Sequence, residues 1–332
     1  MTLLQVKNLN IAIDTPDGRI EIVKQVNLSV DKNDTLGIVG ESGCGKSITA
    51  LGIMSLLPTH SMVSGKILLE EQDLLALDEE QMCRIRGNRI GMIFQEPMTA
   101  LNPVQTIGVQ VAEALDLHKQ LQKAEITSRV ENLMEKVGLN VRRFPLNLYP
   151  HQLSGGQRQR VMIAMMIACR PDLLIADEPT TALDVTVQEQ ILELINDLAQ
   201  KYGMALIMIS HDLGVIAQTT KNVMVMYAGR IMEQGNTVDV FYNMAHPYTY
   251  GLFVSIPKTG SSRLETKKRL KSIPGHVPDL RENIKGCPFA PRCFRAQDTC
   301  RLQDPPPIAF GNGHTAWCFY PLVEKKSNHA AG

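Results

Sequence analysis

The sequence contains no apolar stretch long enough to cross a membrane. Its longest uninterrupted apolar run, residues 161–169, has nine residues, whereas a transmembrane helix needs about 20. The first residues also lack the basic and apolar regions of a secretory signal peptide. We therefore expect a soluble, intracellular chain that does not itself enter the bilayer.

An excess of charge of either sign is missing as well. The 34 Lys and Arg residues balance the 34 Asp and Glu residues, so the formal net charge is zero. Proteins that bind nucleic acid usually carry an excess of positive charge, which contacts the phosphates. The balance therefore predicts no nucleic-acid partner.

Aromatic residues are scarce and unevenly placed. They make up 5% of the sequence, and none occurs before Phe94. The cysteines are uneven too, because four of the seven lie in the last 46 residues, at Cys287, Cys293, Cys300 and Cys318. In a reducing cytosol such a cluster favours a metal site over disulfides.

The apolar periodicity is that of an α/β protein. Strand-like runs alternate with segments whose apolar positions are three or four residues apart. The predicted strands are 3–30 (two strands around a turn at 14–18), 35–39, 173–176, 205–209 and 223–227, and the predicted helices are 46–57, 108–120, 124–138, 155–169 and 186–201. A strand, a helix and a strand in this order imply parallel pairing through a right-handed crossover. After about residue 241 the periodicity fades.

The clearest chemical motif is a phosphate-binding loop after the strand at 35–39. It fits the pattern G-x-x-x-x-G-K-[ST] and lies between a strand and a helix, as that pattern requires. Its residues are Gly40, Glu41, Ser42, Gly43, Cys44, Gly45, Lys46 and Ser47. Backbone N–H groups of such a loop surround phosphate oxygens, the lysine reaches the β- and γ-phosphates, and the hydroxyl ligates Mg²⁺. The loop therefore predicts a site for a nucleoside triphosphate and Mg²⁺.

Two carboxylates at the end of a later apolar strand complete this site. Asp177 and Glu178 follow the strand at 173–176. We expect Asp177 to hold Mg²⁺ and Glu178 to orient and deprotonate the water that attacks the γ-phosphate. The plainer alternative is a pair of acidic residues that cap the strand or the next helix.

A further motif separates the families that share this loop. Leu153, Ser154, Gly155, Gly156 and Gln157 stand just before an apolar helix. With this motif the sequence resembles the ATP-binding-cassette (ABC) ATPases, and the resemblance implies that residues 153–157 close on the ATP held by a second subunit. It identifies Gln95 with the Q-loop, Asp184 with the D-loop and His211 with the switch histidine. It places Mg²⁺ on Ser47, Gln95 and Asp177, and catalysis on Glu178, His211 and Lys46.

The same resemblance implies a fold and a division of the chain. Residues 1–240 would form the ABC ATPase domain, with a RecA-like α/β core, an antiparallel β subdomain and a helical subdomain at about 96–160. Residues 241–332 would form a loop-rich C-terminal extension that carries the four cysteines.

Several segments narrow the resemblance to the ATPases of dipeptide and oligopeptide importers, and among these to the dipeptide transporters. They are 95–103 (QEPMTALNP), 149–154 (YPHQLS), 246–249 (HPYT) and the terminal cysteines. In that family two different ATPase chains pair beneath two membrane permeases, and an extracytoplasmic peptide-binding protein delivers the peptide to these permeases. The resemblance therefore implies ATP-driven peptide import, a heterodimer with a second ATPase, and a peripheral place on the cytoplasmic face of the inner membrane.

The sequence departs from the family at the adenine. Family members usually stack the base on an aromatic residue upstream of the phosphate-binding loop, and here Ile13 stands near the expected position. An aliphatic side chain packs on the base but loses the stacking energy, about 0.5–1.5 kcal/mol for aromatic pairs. We therefore expect intact phosphate contacts and a weaker base contact at Ile13.

The four terminal cysteines have the spacing C-x5-C-x6-C-x17-C. Neighbouring prolines keep the segment in loops, and four thiolates can hold a tetrahedral Zn²⁺ or a [4Fe–4S] cluster. The resemblance to the peptide-importer ATPases favours [4Fe–4S], with zinc and free thiols as alternatives. Because the segment lies outside the cassette, we expect the centre to stabilise a tail too small to fold alone.

Three other functions stay open at this stage. A non-transport ABC protein that acts on DNA or ribosomes usually has two cassettes or a coiled-coil insertion and basic surfaces, and this sequence has neither. A structural cassette with degenerate chemistry is disfavoured by the intact Lys46, Glu178 and His211. A nickel or other small-solute importer shares the cassette, but its ATPases tend to lack a cysteine-bearing extension.

Overall fold

The computed structural model of this protein describes residues 1–181, 183–256, 272–282 and 284–323. Its strands are β1 (Thr2–Thr15), β2 (Gly18–Asp31), β3 (Thr35–Val39), β4 (Ser61–Leu69), β5 (Gln72–Asp73), β6 (Ile90–Ile93), β7 (Leu173–Asp177), β8 (Ala205–Ser210), β9 (Asn222–Tyr227), β10 (Arg230–Asn236), β11 (Pro307–Gly311) and β12 (His314–Trp317). Its α-helices are α1 (Lys46–Ile53), α2 (Glu79–Ile85), α3 (Pro97–Ala100), α4 (Ile107–His118), α5 (Lys123–Lys136), α6 (Gly155–Ile167), α7 (Val185–Tyr202), α8 (Leu213–Thr219), α9 (Thr237–Tyr242), α10 (Pro247–Ser255) and α11 (Asp298–Leu302). None of the helices in these ranges is long and apolar enough to span a membrane.

The strands nearest the N-terminus form an antiparallel sheet. Its strand order is β2-β1-β4-β5. β1 and β2 form the hairpin that the alternating pattern predicted, with Thr15 paired to Gly18 at the turn. Alternate apolar residues of this sheet, such as Leu4 and Val6, are buried in a core that it shares with α1.

The larger sheet is mixed and has the order β11-β12-β10-β9-β3-β8-β7-β6. Its central strands β9, β3, β8, β7 and β6 are parallel, which confirms the predicted pairing. Neighbouring residues of one strand face opposite cores: Leu173 packs towards the antiparallel sheet, and Leu174 packs towards the helices. Because parallel strands end at one edge of a sheet, the residues that follow β3, β7 and β8 meet there.

The helical layer also follows the sequence pattern. The helices predicted at 108–120, 124–138 and 155–169 are present as α4, α5 and α6, with ends that differ by at most two residues. In α4, Ile107, Val111 and Leu115 are buried at a four-residue spacing, as expected of an amphipathic helix that packs on one face.

The C-terminal extension is more ordered than its fading periodicity predicted. β11 and β12 form a hairpin, and β12 pairs with β10, so the extension continues the larger sheet. Beside this pairing, the buried Glu233 carboxylate accepts hydrogen bonds from the backbone N–H groups of Ala245 (2.7 Å) and His246 (2.9 Å), and lies 2.7 Å from His314 Nε2. A buried carboxylate needs such partners, and here they tie the extension to the sheet.

Candidate nucleotide-binding and hydrolysis site

The phosphate-binding loop connects β3 to α1 at the carboxyl end of the parallel strands. Two of its glycines are required by geometry. A Cβ atom at Gly40 would lie 2.2 Å from the carbonyl oxygen of Met226, and Gly45 has a φ of 101°, in the left-handed region. The loop therefore approaches β9 too closely, and turns too sharply, for larger residues at these positions.

Lys46 begins α1 and is buried, with 4% of its surface exposed. Its Nζ donates hydrogen bonds to the carbonyl oxygens of Gly40 (2.8 Å) and Glu41 (3.1 Å), and lies 4.0 Å from Glu178 Oε1. Both carbonyl groups belong to the loop, so the ammonium group is held inside it.

Asp177 ends β7 and approaches Ser47. Its Oδ1 accepts a hydrogen bond from the Ser47 hydroxyl at 2.9 Å. Burial raises the pKa of this carboxyl, and the hydrogen bond from Ser47 opposes that effect. Magnesium prefers oxygen ligands, so a hydroxyl and a carboxylate in contact fit the ion. Gln95, the third predicted ligand, lines one cavity together with Ser47, whereas Asp177 does not line it.

The side chains predicted to act in hydrolysis meet at Glu178. Its Oε2 lies 3.2 Å from Gln95 Nε2 and 3.3 Å from His211 Nδ1. Its backbone φ of 45° is in the left-handed region, which costs energy in a residue other than glycine and recurs at functional sites. The structure therefore brings together Lys46, Gln95, Glu178 and His211, as the sequence predicted.

These groups line a cavity of about 750 Å³, within the usual range for a small-molecule site. From the loop, Ser42, Gly43, Gly45, Lys46 and Ser47 line it, whereas Gly40, Glu41 and Cys44 do not. Cys44 is fully buried, and burial raises the pKa of its thiol. A pocket with a loop of backbone N–H groups, a lysine and a carboxylate beside a histidine suits binding and hydrolysis of a triphosphate.

Comparisons with known proteins agree with this geometry. A family model described as ABC transporter matches residues 23–181, and one described as oligopeptide/dipeptide transporter, C-terminal region, matches residues 232–300. The oligopeptide transport ATP-binding protein OppD of Salmonella typhimurium is 47% identical over 97% of this chain and 95% of that protein. The dipeptide transport ATP-binding protein DppD of Bacillus subtilis is 45% identical over 99% of this chain and 97% of that protein.

This chain belongs to the peptide-transport ATP-binding proteins of the ABC transporter family. It is accordingly an ABC ATPase. Among solved structures, the ATP-binding cassette MJ0796, in a dimeric post-hydrolysis state bound to ADP and phosphate, is similar with a TM-score of 0.63 and 28% identity, over 70% of this chain and 98% of that one. The predicted family and the ABC fold are therefore confirmed.

The signature residues of this ABC ATPase lie away from its own nucleotide pocket. Ser154 caps α6, where its hydroxyl accepts a hydrogen bond from the Gln157 N–H at 3.4 Å, and Ser154 and Gly155 are exposed. Neither these residues nor Leu153 and Gly156 line the cavity. Asp184 caps the neighbouring helix α7. An exposed helix N-terminus that is not used by its own nucleotide is available to the nucleotide of a partner, although that assignment stays a prediction.

The apolar wall of this cavity comes from β2 and from the extension. Ile13 does not line the cavity; Ile20, its partner in the β1–β2 pairing, does so together with Ile22. Leu280 and Arg281 of the extension line it as well. Ile20 and Ile22 alternate with polar residues at the start of β2 and are partly buried, a signal that could have identified them, whereas no local pattern marks residues 279–281.

The four terminal cysteines converge on a small cavity that they share with His246. Burial raises the pKa of the Cys287 thiol to about 11 and that of the Cys318 thiol to about 12. The Arg295 N–H donates a hydrogen bond to Cys293 Sγ at 3.4 Å. Within the described residues, no three His, Cys, Asp or Glu side chains form a ready ligand set for a metal ion. The four cysteines line one cavity, but their side chains are not arranged as metal ligands.

Proposed function

We propose that this ABC ATPase hydrolyses ATP to drive the import of dipeptides and oligopeptides through two membrane permeases. One observation carries the proposal: its region outside the cassette matches the C-terminal region of oligopeptide/dipeptide transporter proteins over residues 232–300. The cassette alone is common to importers of many solutes, including nickel. The relatives that match almost the whole chain are named as oligopeptide and dipeptide transport proteins, which supports peptides over nickel.

The hydrolysis step is proposed to use the groups around Glu178. Lys46 exchanges its carbonyl partners for the β- and γ-phosphates, and Glu178 accepts a proton from the attacking water. Gln95 and His211 hold the Glu178 carboxylate towards the pocket. Ser47, Asp177 and Gln95 would hold Mg²⁺, which neutralises charge on the phosphates.

The assembly is proposed to contain a second, different ATPase chain and to lie on the cytoplasmic face of the inner membrane. The exposed Ser154 and Gly155 support a partner whose nucleotide they would complete, and the similar MJ0796 cassette was solved as a dimer. An extracytoplasmic peptide-binding protein would deliver the solute to the permeases.

Purification of the assembly tests this function. We expect the tagged chain, extracted from membranes in detergent, to copurify with two permeases and a second ATPase, and its reconstituted ATPase rate to rise with a dipeptide and the binding protein but not with Ni²⁺. The matched control is the same complex without binding protein. Copurification with ribosomes or DNA, or stimulation by Ni²⁺ in place of peptide, would contradict the proposal.

We also propose that Cys287, Cys293, Cys300 and Cys318 bind a [4Fe–4S] cluster, with Zn²⁺ as the alternative. Four cysteines line one cavity, and four thiolates are the number of ligands that either centre takes, although the side chains would have to move closer together to bind it. A second observation supports a ligand there: His246 Nε2 is fully buried beside the cysteines and has no hydrogen-bond partner. Its Nδ1 accepts a hydrogen bond from the Tyr248 N–H at 3.0 Å, so the proton of the neutral ring is on the unpaired Nε2. This N–H group can donate a hydrogen bond to a sulfur atom.

The cysteine centre is tested by its colour. Anaerobically purified protein should absorb at about 400 nm, as expected of a thiolate-bound iron–sulfur cluster. Cys293→Ser should abolish that absorption, because one of four ligands is lost. Cys83→Ser is the control, since Cys83 is exposed on α2, and it should leave the absorption unchanged. Colourless protein with one zinc ion per chain would show that the site binds zinc. Protein that contains neither iron nor zinc would show that the four cysteines are free thiols.

A further inference from the structure

The C-terminal extension reaches the phosphate-binding loop through a buried arginine. Arg292 ends the short 3₁₀ turn Ala290–Arg292, and 8% of its surface is exposed. Its guanidinium forms two hydrogen bonds with the Glu41 carboxylate, Nη1 to Oε2 at 2.5 Å and Nη2 to Oε1 at 3.0 Å. This two-pronged geometry is the strong form of an arginine–carboxylate pair, and it joins residues that are 251 positions apart.

The arginine is itself held in place from other sides. Its Nε donates to the carbonyl oxygen of Pro274 at 2.9 Å, and its Nη1 lies 3.2 Å from the Tyr227 hydroxyl. The guanidinium also lies over the Tyr227 ring, 5.7 Å from its centroid. The bond with Glu41 raises the pKa of Arg292 further above its usual value. Because these contacts restrict its position, Arg292 gives Glu41 a fixed partner.

Glu41 is consequently anchored at three points. Besides the carboxylate, its backbone N–H donates to the Tyr248 hydroxyl at 2.9 Å, and its carbonyl oxygen accepts from Lys46 Nζ at 3.1 Å. Arg292 and Tyr248 both come from the chain after residue 241, so the extension holds the side chain and the amide of one loop residue. The carbonyl oxygen of Glu41 is thus a hydrogen-bond partner of Lys46, the lysine expected to bind ATP.

We propose that Arg292 is a positioning residue for ATP, because it fixes the shape of the phosphate-binding loop through Glu41 and neutralises the charge of that carboxylate within the loop. A loop already held in its binding shape loses less conformational freedom when ATP arrives, so binding is tighter. An unpaired Glu41 carboxylate would repel the phosphates. The extension, which the sequence placed outside nucleotide binding, thus contributes to it.

Binding of MgATP to the purified full chain tests the role of Arg292. Arg292→Gln should raise the Kd for MgATP about tenfold, equivalent to about 1.4 kcal/mol, and in the assembled complex should raise KM while leaving kcat within about twofold, because the reacting groups are untouched. The double variant Glu41→Gln with Arg292→Gln should recover part of the affinity, since it removes the repelling carboxylate although the anchoring pair is still missing. A purely structural role predicts no such recovery.

A matched control is available at the same interface between the extension and the ATPase core. Arg230 of β10 pairs with Asp304 of the extension at 2.7 Å, and neither residue lines the nucleotide cavity. Arg230→Gln should therefore leave the Kd unchanged. The proposal is overturned if folded Arg292→Gln binds MgATP within twofold of the Arg230→Gln protein.

A conservative variant decides the case in which Arg292→Gln does not fold. Arg292→Lys keeps the charge but loses the second hydrogen bond. We expect its Kd to rise about threefold or more, and wild-type affinity in this variant would overturn the proposal. The binding assay needs no permease or peptide, so its result is independent of the transported solute.

Discussion

Glu178→Gln should abolish ATP turnover and leave ATP bound. The carboxamide keeps the size of the side chain and its contacts with Gln95 and His211, which lie 3.2 and 3.3 Å from Oε2. It cannot accept a proton from water at neutral pH, and loss of a general base costs about 10²- to 10⁴-fold in rate. The loop and Lys46, which are predicted to bind the phosphates, are unchanged, so the variant should accumulate in an ATP-bound, closed dimer.

The measurement is phosphate release by the complex, with the catalytic carboxylate of the partner ATPase also replaced so that only this chain's site is read. Trapped dimer is measured by size exclusion in MgATP. Glu193→Gln, on the exposed side of α7, is the control and should turn over normally. A rate for Glu178→Gln within threefold of that control would remove Glu178 from the chemistry.

The second large effect is expected at the signature. Ser154→Arg should block hydrolysis at the site formed with the partner's phosphate-binding loop, because a long cationic side chain would occupy the exposed N-terminus of α6, where the γ-phosphate has to approach. Affinity of the isolated chain for ATP should not change, since residues 153–157 do not line this chain's cavity.

This substitution also removes a helix cap, which costs about 0.5–2 kcal/mol of stability. Asn236→Ala is a control for that loss, because the Asn236 side chain caps α9 by accepting a hydrogen bond from the Val238 N–H at 3.0 Å. We expect the control to lower thermal stability and retain turnover. If isolated Ser154→Arg protein lost its affinity for ATP, the signature would serve its own nucleotide, and the assignment to the partner would be wrong.

Much of the site was predictable because its signals are local. The glycines and the lysine of residues 40–47 are adjacent in the sequence, and the strand before them and the helix after them carry their own periodicity. Asp177 and Glu178 follow an apolar strand in the same way. Since parallel strands end at one edge, the residues that follow β7 and β8 lie side by side there, and His211 Nδ1 is 3.3 Å from Glu178 Oε2.

The apolar wall of the cavity was not predicted. Ile13 was chosen by its position relative to a family pattern, and that pattern did not give the pairing of β1 with β2, in which Ile13 lies opposite Ile20. In the structure Ile20 and Ile22 of the paired strand β2 line the cavity. A hairpin predicted without its register cannot say which of two paired strands faces a ligand.

Local sequence signals were enough to predict the α/β class, the parallel central strands, the phosphate-binding loop and the carboxylates that follow β7, because each depends on neighbouring residues. How the extension relates to the ATPase core is visible only in the tertiary contacts. The pairing of β12 with β10, the wall at Leu280 and Arg281, and the Arg292–Glu41 pair join segments far apart in the chain. Such contacts leave no periodic trace in the sequence, because they are made by short loops and single side chains whose partners are chosen by packing.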